Sequence, residues 1–109
     1  MSNDKPHQGW SNYETWTVHR WIDSDEESKS YWEEQAEKFF DPYEGRGGGE
    51  QRAVSKLADQ LKDEVEDAAV EILKAGRAER SAFSDLLTTA LLKVDWEEIA
   101  GEMIANLKA

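Results

Sequence analysis

One stretch constrains the fold more than any other. Between residues 50 and 75, Val54, Leu57, Ala58, Leu61, Val65, Ala68, Ala69, Ile72 and Leu73 recur at intervals that keep them on one helical face. Gly76 follows, a residue suited to the position just past a helix end. A long helix with one apolar face cannot bury that face by itself, so shorter elements must pack along it.

The remaining segments also read as helices. Ser11-Asn12-Tyr13-Glu14 fits a capping box, which places a first helix from Ser11 or Asn12 to about Ile22, with Trp10 positioned to staple onto its first turns. Ser24 with Glu27 fits a second box. It opens a helix carrying Tyr31, Trp32, Gln35, Ala36, Phe39 and Phe40, stopped by Asp41-Pro42. Ser81 is the expected cap of a fourth helix, striped by Phe83, Leu86, Leu87, Ala90, Leu91 and Val94. Asp95 with Glu98 opens a fifth, striped by Trp96, Ile99, Ala100, Met103, Ile104 and Leu107. Nothing alternates at the period of a strand. The expected fold is all-α, a compact single-domain bundle of about five helices with no sheet. Residues 1–10 read as a flexible lead-in and 11–109 as one helical domain, interrupted by a flexible Gly-rich loop at 43–49. The last two helices should meet at a sharp corner, since almost no loop joins them.

Three of the five tryptophans, Trp10, Trp16 and Trp21, fall in the first helical segment. Its large side chains do not make one stripe: Tyr13 and Trp16 lie to one side, Val18, Trp21 and Ile22 at least a third of a turn away. Such a helix is expected to be covered on more than one side. A core role for its indoles is preferred to an aromatic face shown to a partner.

Charge narrows the function. Lys+Arg 13 against Asp+Glu 24 gives a net charge of -11. That balance opposes direct binding to nucleic acid or anionic membrane and favours basic proteins as partners. The acids are spread along the chain and form no acidic tail. The absence of cysteine excludes disulfides, thiolate metal sites and cysteine nucleophiles. With no signal peptide and no apolar run long enough to span a bilayer, a cytoplasmic location is expected.

Catalytic and ligand motifs were weighed against simpler readings. Asp23-x-Asp25-x-Glu27 with Glu34 faintly resembles a calcium loop, but Ser28 stands where glycine should make the turn. A capped, solvated helix start explains these acids better. Gly45-x-Gly47 lacks both a preceding strand and a following Gly-Lys-Ser/Thr, so a linker explains it. His7 and His19 have no zinc spacing. No serine or threonine stands with a base and an orienting acid. Glu14, Glu33 and Glu34 offer only a weak case for a paired-carboxylate site. No enzyme activity, cofactor or metal is expected.

The acidic side of the long helix carries Asp59, Asp63, Glu64, Glu66, Asp67 and Glu71, with Lys56 and Lys62 among them. The simpler reading is a solvated face with local acid–base pairs, such as Asp59 with Lys62 and Lys56 with Asp63. The sharper one is a rigid row of carboxylates that imitates DNA phosphates in a basic groove, its ordering already achieved in folding.

The segment Trp10-Ser11-Asn12-Tyr13-Glu14-Thr15-Trp16 through Trp21-Ile22-Asp23, with the closing Val94-Asp95-Trp96-Glu97-Glu98-Ile99-Ala100, resembles a family of small phage- and plasmid-borne proteins with a "NYETW…WID" opening. The family is a domain of unknown function, so it brings no cofactor or catalytic residue. It implies a mobile-element setting, where small acidic proteins often inhibit host defence nucleases. It also suggests that Trp16 and Trp21 pack near Trp96 and Ile99, closing the first helix onto the last two.

The resulting expectation is a non-enzymatic interaction protein. It would act as an acidic helical inhibitor or DNA mimic on a basic surface of a host nucleic-acid-handling defence protein. The partner-binding candidates are Asp59, Asp63, Glu64, Glu66, Asp67 and Glu71, followed by Asp25, Glu26 and Glu27. The alternative is an accessory or assembly module using apolar surface, as a homo-oligomer. A DNA-binding role for residues 81–109 is weakest, because only Lys93 and Lys108 are basic there.

Overall fold

The computed structural model describes residues 8–40 and 49–108. The described residues form five α-helices and no strand: α1 Tyr13–Asp23, α2 Glu26–Phe39, α3 Gly49–Ala75, α4 Ala82–Leu92 and α5 Trp96–Lys108. The all-α bundle expected from periodicity is the fold observed. Asp41-Pro42 and most of the Gly-rich loop fall outside the described residues. Gly49, the last residue of that loop, begins α3.

α3 is the spine. α5 packs along its first half and α2 lies beside it, while α4 packs on its second half. α1 packs on α2 and α5. The core lies where these elements meet. Leu57 and Leu61 of α3 and Ile99 and Ile104 of α5 are fully buried, joined by Ile22, Trp32, Ala36, Ala53, Ala58, Val94 and Ala100. Ala36, Ala53 and Ala100 are buried at helix faces, where a small side chain permits close interhelical approach. Trp10, which the sequence placed in a flexible lead-in, packs against this core with its ring 4.4 Å from that of His19.

Three expected helix ends form differently. Asn12, not Ser11, caps α1: its side chain accepts from the Thr15 amide at 2.8 Å. Asp25, not Ser24, caps α2 by accepting from the Ser28 amide, and Ser24 instead closes α1. Asn and Asp cap as well as Ser does, so two adjacent candidates differ little in propensity. At the end of α3 the left-handed residue is Arg77, with φ 56, one position beyond Gly76. Ala78 donates to the Leu73 carbonyl at 2.8 Å and Arg77 to that of Lys74 at 3.1 Å, a Schellman closure centred one residue later than expected. Ser81 and Asp95 cap α4 and α5 as anticipated.

Candidate functional site

α1 sorts its side chains into two faces. Thr15, fully buried, and Ile22 point inward with half-buried Val18. Tyr13, Trp16 and Arg20 fall on the opposite side, and Trp21 lies on the flank between Tyr13 and Val18. Trp21 is 68% exposed and Tyr13 55%. Trp16 is half-buried, with its ring 5.6 Å from that of Tyr13 and the Arg20 guanidinium 5.3 Å from its centroid. Neither Trp16 nor Trp21 packs against the core cluster. The expectation of indoles plugging the core therefore holds for Trp10 but is overturned for Trp16 and Trp21, as is that of a helix covered on several sides. An α1 of eleven residues needs only one face to dock, and small Thr15 lets it approach α5 more closely than a tryptophan would.

The two ends of the chain do meet, through polar groups in place of indoles. The Thr15 hydroxyl accepts from the Asp95 amide at 2.8 Å. The Asn12 side-chain amide donates to the Lys93 carbonyl at 2.7 Å. The Ser11 amide and hydroxyl both donate to Glu98 Oε1, at 3.2 and 2.7 Å. Glu98 therefore does not complete the box on Asp95 that its spacing suggested. Its carboxylate goes to Ser11, and Thr15 takes the Asp95 amide that the box would have satisfied. No buried side-chain nitrogen or oxygen among the described residues lacks a partner.

The acidic candidates of α3 separate into two groups. Asp59, Asp63, Asp67 and Glu71 are spaced four apart, exposed, and make no hydrogen bond or ion pair among the described residues. Their spacing puts successive carboxylates about 6 Å apart along the axis. The expected pairs of Asp59 with Lys62 and Lys56 with Asp63 are not formed, consistent with the small energy such exposed pairs offer. Glu64 and Glu66 leave the row and are half-buried. Glu64 is held from α2: the Tyr31 hydroxyl donates to it at 2.8 and 3.0 Å, and Gln60 Nε2 donates at 2.9 Å. The hydrogen bond to that carboxylate, burial and its negative charge hold the Tyr31 phenol above its ordinary range, with Gln60 opposing. Gln60 also donates to Gln35, which accepts from Lys38 as well, so the network crosses from α2 to α3. Glu66 lines a groove between α3 and α4. Of the second set, Asp25 is occupied as the α2 cap, while Glu26 and Glu27 are exposed in its first turn.

Two further surfaces escaped sequence reasoning. The α3–α4 groove, about 250 Å³, is lined by Val70, Leu73, Leu87, Leu91 and Leu92. Beside it α4 buries none of its residues, and Phe83, Leu86 and Leu92 are largely exposed. The stripe seen in the sequence is real, but among the described elements α4 packs mainly on α3, which leaves much of the stripe uncovered. An open cleft at the chain-end junction is lined by Asn12, Asp59, Lys62, Lys93, Trp96 and Glu97, with mixed charge and no enclosed apolar floor.

Chemistry is sparse. Among the described residues no group of three or more His, Asp or Glu could hold a metal ion. His19 stands 3.6 Å from Asp23. Among them, too, no helix is long and apolar enough to cross a membrane. Comparison with family models, curated proteins and solved structures finds no match.

Proposed function

We propose that this chain is a non-enzymatic, cytoplasmic binding protein of mobile-element type, which presents the carboxylate row of α3 to a basic surface of a nucleic-acid-handling host protein and blocks it as a DNA mimic. The observation that carries this reading is the set Asp59, Asp63, Asp67 and Glu71: four exposed acids at regular spacing on a helix of 27 residues, unpaired among the described residues. Like charges four apart oppose helix formation, and Lys62, the one cation within the run, forms no ion pair with them among the described residues, so their retention is better suited to a partner than to stability. The net charge of -11 would steer such a partner in from a distance. The resemblance to phage- and plasmid-borne proteins supports the setting. Glu64 is withdrawn from the candidate set, since Tyr31 and Gln60 already use it.

The test is affinity capture from a bacterial lysate with the parent chain and with Asp59→Asn/Asp63→Asn/Asp67→Asn/Glu71→Gln. A basic partner should be held by the parent at low salt, released at high salt, and missed by the neutralised variant. A partner held equally by both chains at high salt contradicts the proposal.

A second reading, an assembly module, rests on the uncovered side of α4. Phe83 is 70% exposed and Leu92 78%. Sedimentation velocity separates the two: concentration-dependent association abolished by Phe83→Ser/Leu86→Ser supports assembly, and a strict monomer removes it.

A further inference from the structure

We infer that the outer face of α1, with the acidic corner joining α1 to α2, is a docking surface for an arginine-rich segment of another protein. The inference goes beyond the reading above and does not depend on the α3 row being used.

The face has the composition of an interface centre. Tyr13, Trp16 and Arg20 stand together on one side of α1, with exposed Trp21 about 80° round the helix from Tyr13, and these are the residue types that dominate protein-binding hot spots. Trp21, outside the core and 68% exposed, does nothing for packing that a smaller residue could not do. Directly after it, Asp23, Asp25, Glu26 and Glu27 bring four carboxylates into five positions with no base among them. Asp25 is occupied by capping and Asp23 lies beside His19, while Glu26 and Glu27 have no partner among the described residues.

These neighbours decide the occupant. Nucleic acid and anionic lipid are repelled by the acidic corner. A second copy would bring another chain of net charge -11 against it, with only Arg20 on this face to offset the repulsion. A cationic segment meets complementary charge at the corner and aromatic rings on the helix. The chain supplies an internal precedent for the geometry: its own Arg20 guanidinium lies 5.3 Å from the Trp16 centroid, within cation–π range. Arginine should be preferred to lysine, because a planar guanidinium stacks on an indole while also bonding a carboxylate in bidentate fashion.

The experiment is isothermal titration of the full chain with a short peptide of alternating arginine and glycine, and with its lysine counterpart. The parent should bind the arginine peptide more tightly. Trp21→Ala leaves the net charge unchanged and should weaken binding about tenfold, as loss of a desolvated cation–π contact does. Trp21→Phe, which keeps a ring, should recover part of the loss. Glu26→Gln/Glu27→Gln should weaken binding, whereas Asp59→Asn/Asp63→Asn/Asp67→Asn/Glu71→Gln should leave it within about twofold. Circular dichroism confirms that each variant is folded. Binding by Trp21→Ala equal to the parent, or loss of affinity only in the α3 variant, overturns the inference. So does Trp21-dependent self-association in sedimentation without peptide, which would assign the face to a second copy.

Discussion

The Thr15 hydroxyl, fully buried, accepts a hydrogen bond from the backbone amide of Asp95 at 2.8 Å, joining the start of α1 to the start of α5 across 80 residues of chain. That amide begins a helix and has no intrahelical partner. Thr15→Val keeps the shape and leaves the amide unsatisfied, so it should cost about 1–3 kcal/mol. Thr15→Ser retains the oxygen and should cost less. Urea denaturation of the two variants checks the order.

Arg77 closes α3 in the left-handed region at φ 56. A β-carbon there costs roughly 1 kcal/mol that glycine avoids. Arg77→Gly should therefore raise the urea midpoint, and Gly76→Gln should be tolerated, because a β-carbon at Gly76 would meet only ordinary contact with the Ile72 carbonyl at 3.6 Å. A drop in stability for Arg77→Gly would place the value of that residue in its side chain.

The Tyr31–Glu64 contact predicts an alkaline weakness. The phenol is held above its ordinary value of 10.0, so folding favours its neutral form. Its contribution is complete below that value and is lost as pH rises through the higher folded-state pKa. Tyr31→Phe should be less stable than the parent at neutral pH, and the gap should close in strong alkali. Denaturation across that range reads it directly, and a gap independent of pH would contradict the assignment.

Neutralising the α3 row should stabilise the domain while removing its proposed use. Each like-charged pair four residues apart costs about 0.2–0.5 kcal/mol. The quadruple change at Asp59, Asp63, Asp67 and Glu71 should raise the urea midpoint, with the largest gain at low salt. A loss of stability would mean the acids serve the fold.

The sequence made the helices legible because apolar periodicity survives wherever a face is buried, as at Leu57 and Leu61 or Ile99 and Ile104. The fates of individual large side chains were harder to read. Trp21 and Trp32 are the same residue type in adjacent helices, yet one is exposed and the other buried. The difference lies in which neighbour each helix face meets, information that periodicity alone does not carry. For α1 a better signal was available: Thr15, Val18 and Ile22 recur at helical spacing and mark the inner face, with Tyr13 and Trp16 opposite and Trp21 on the flank. Glu64, seven residues after Leu57, lies by helical phase at the edge of the apolar face and Asp63 does not, but the position of Tyr31 on α2, which holds the Glu64 carboxylate, is not carried by that phase. The pairing of the two ends was anticipated, but from tryptophans, whereas Ser11, Asn12 and Thr15 achieve it.

The two-faced character of α1 moves the aromatic motif from core to surface, and the stability of its variants tests that placement most directly. Trp16→Ala/Trp21→Ala should stay within about 1 kcal/mol of the parent in urea denaturation, as surface changes do. Ile22→Ala, on the inner face of the same helix, should lose about 2–5 kcal/mol. If the double tryptophan variant unfolds, or loses more stability than Ile22→Ala, the outward face is part of the fold and the account of α1 is wrong.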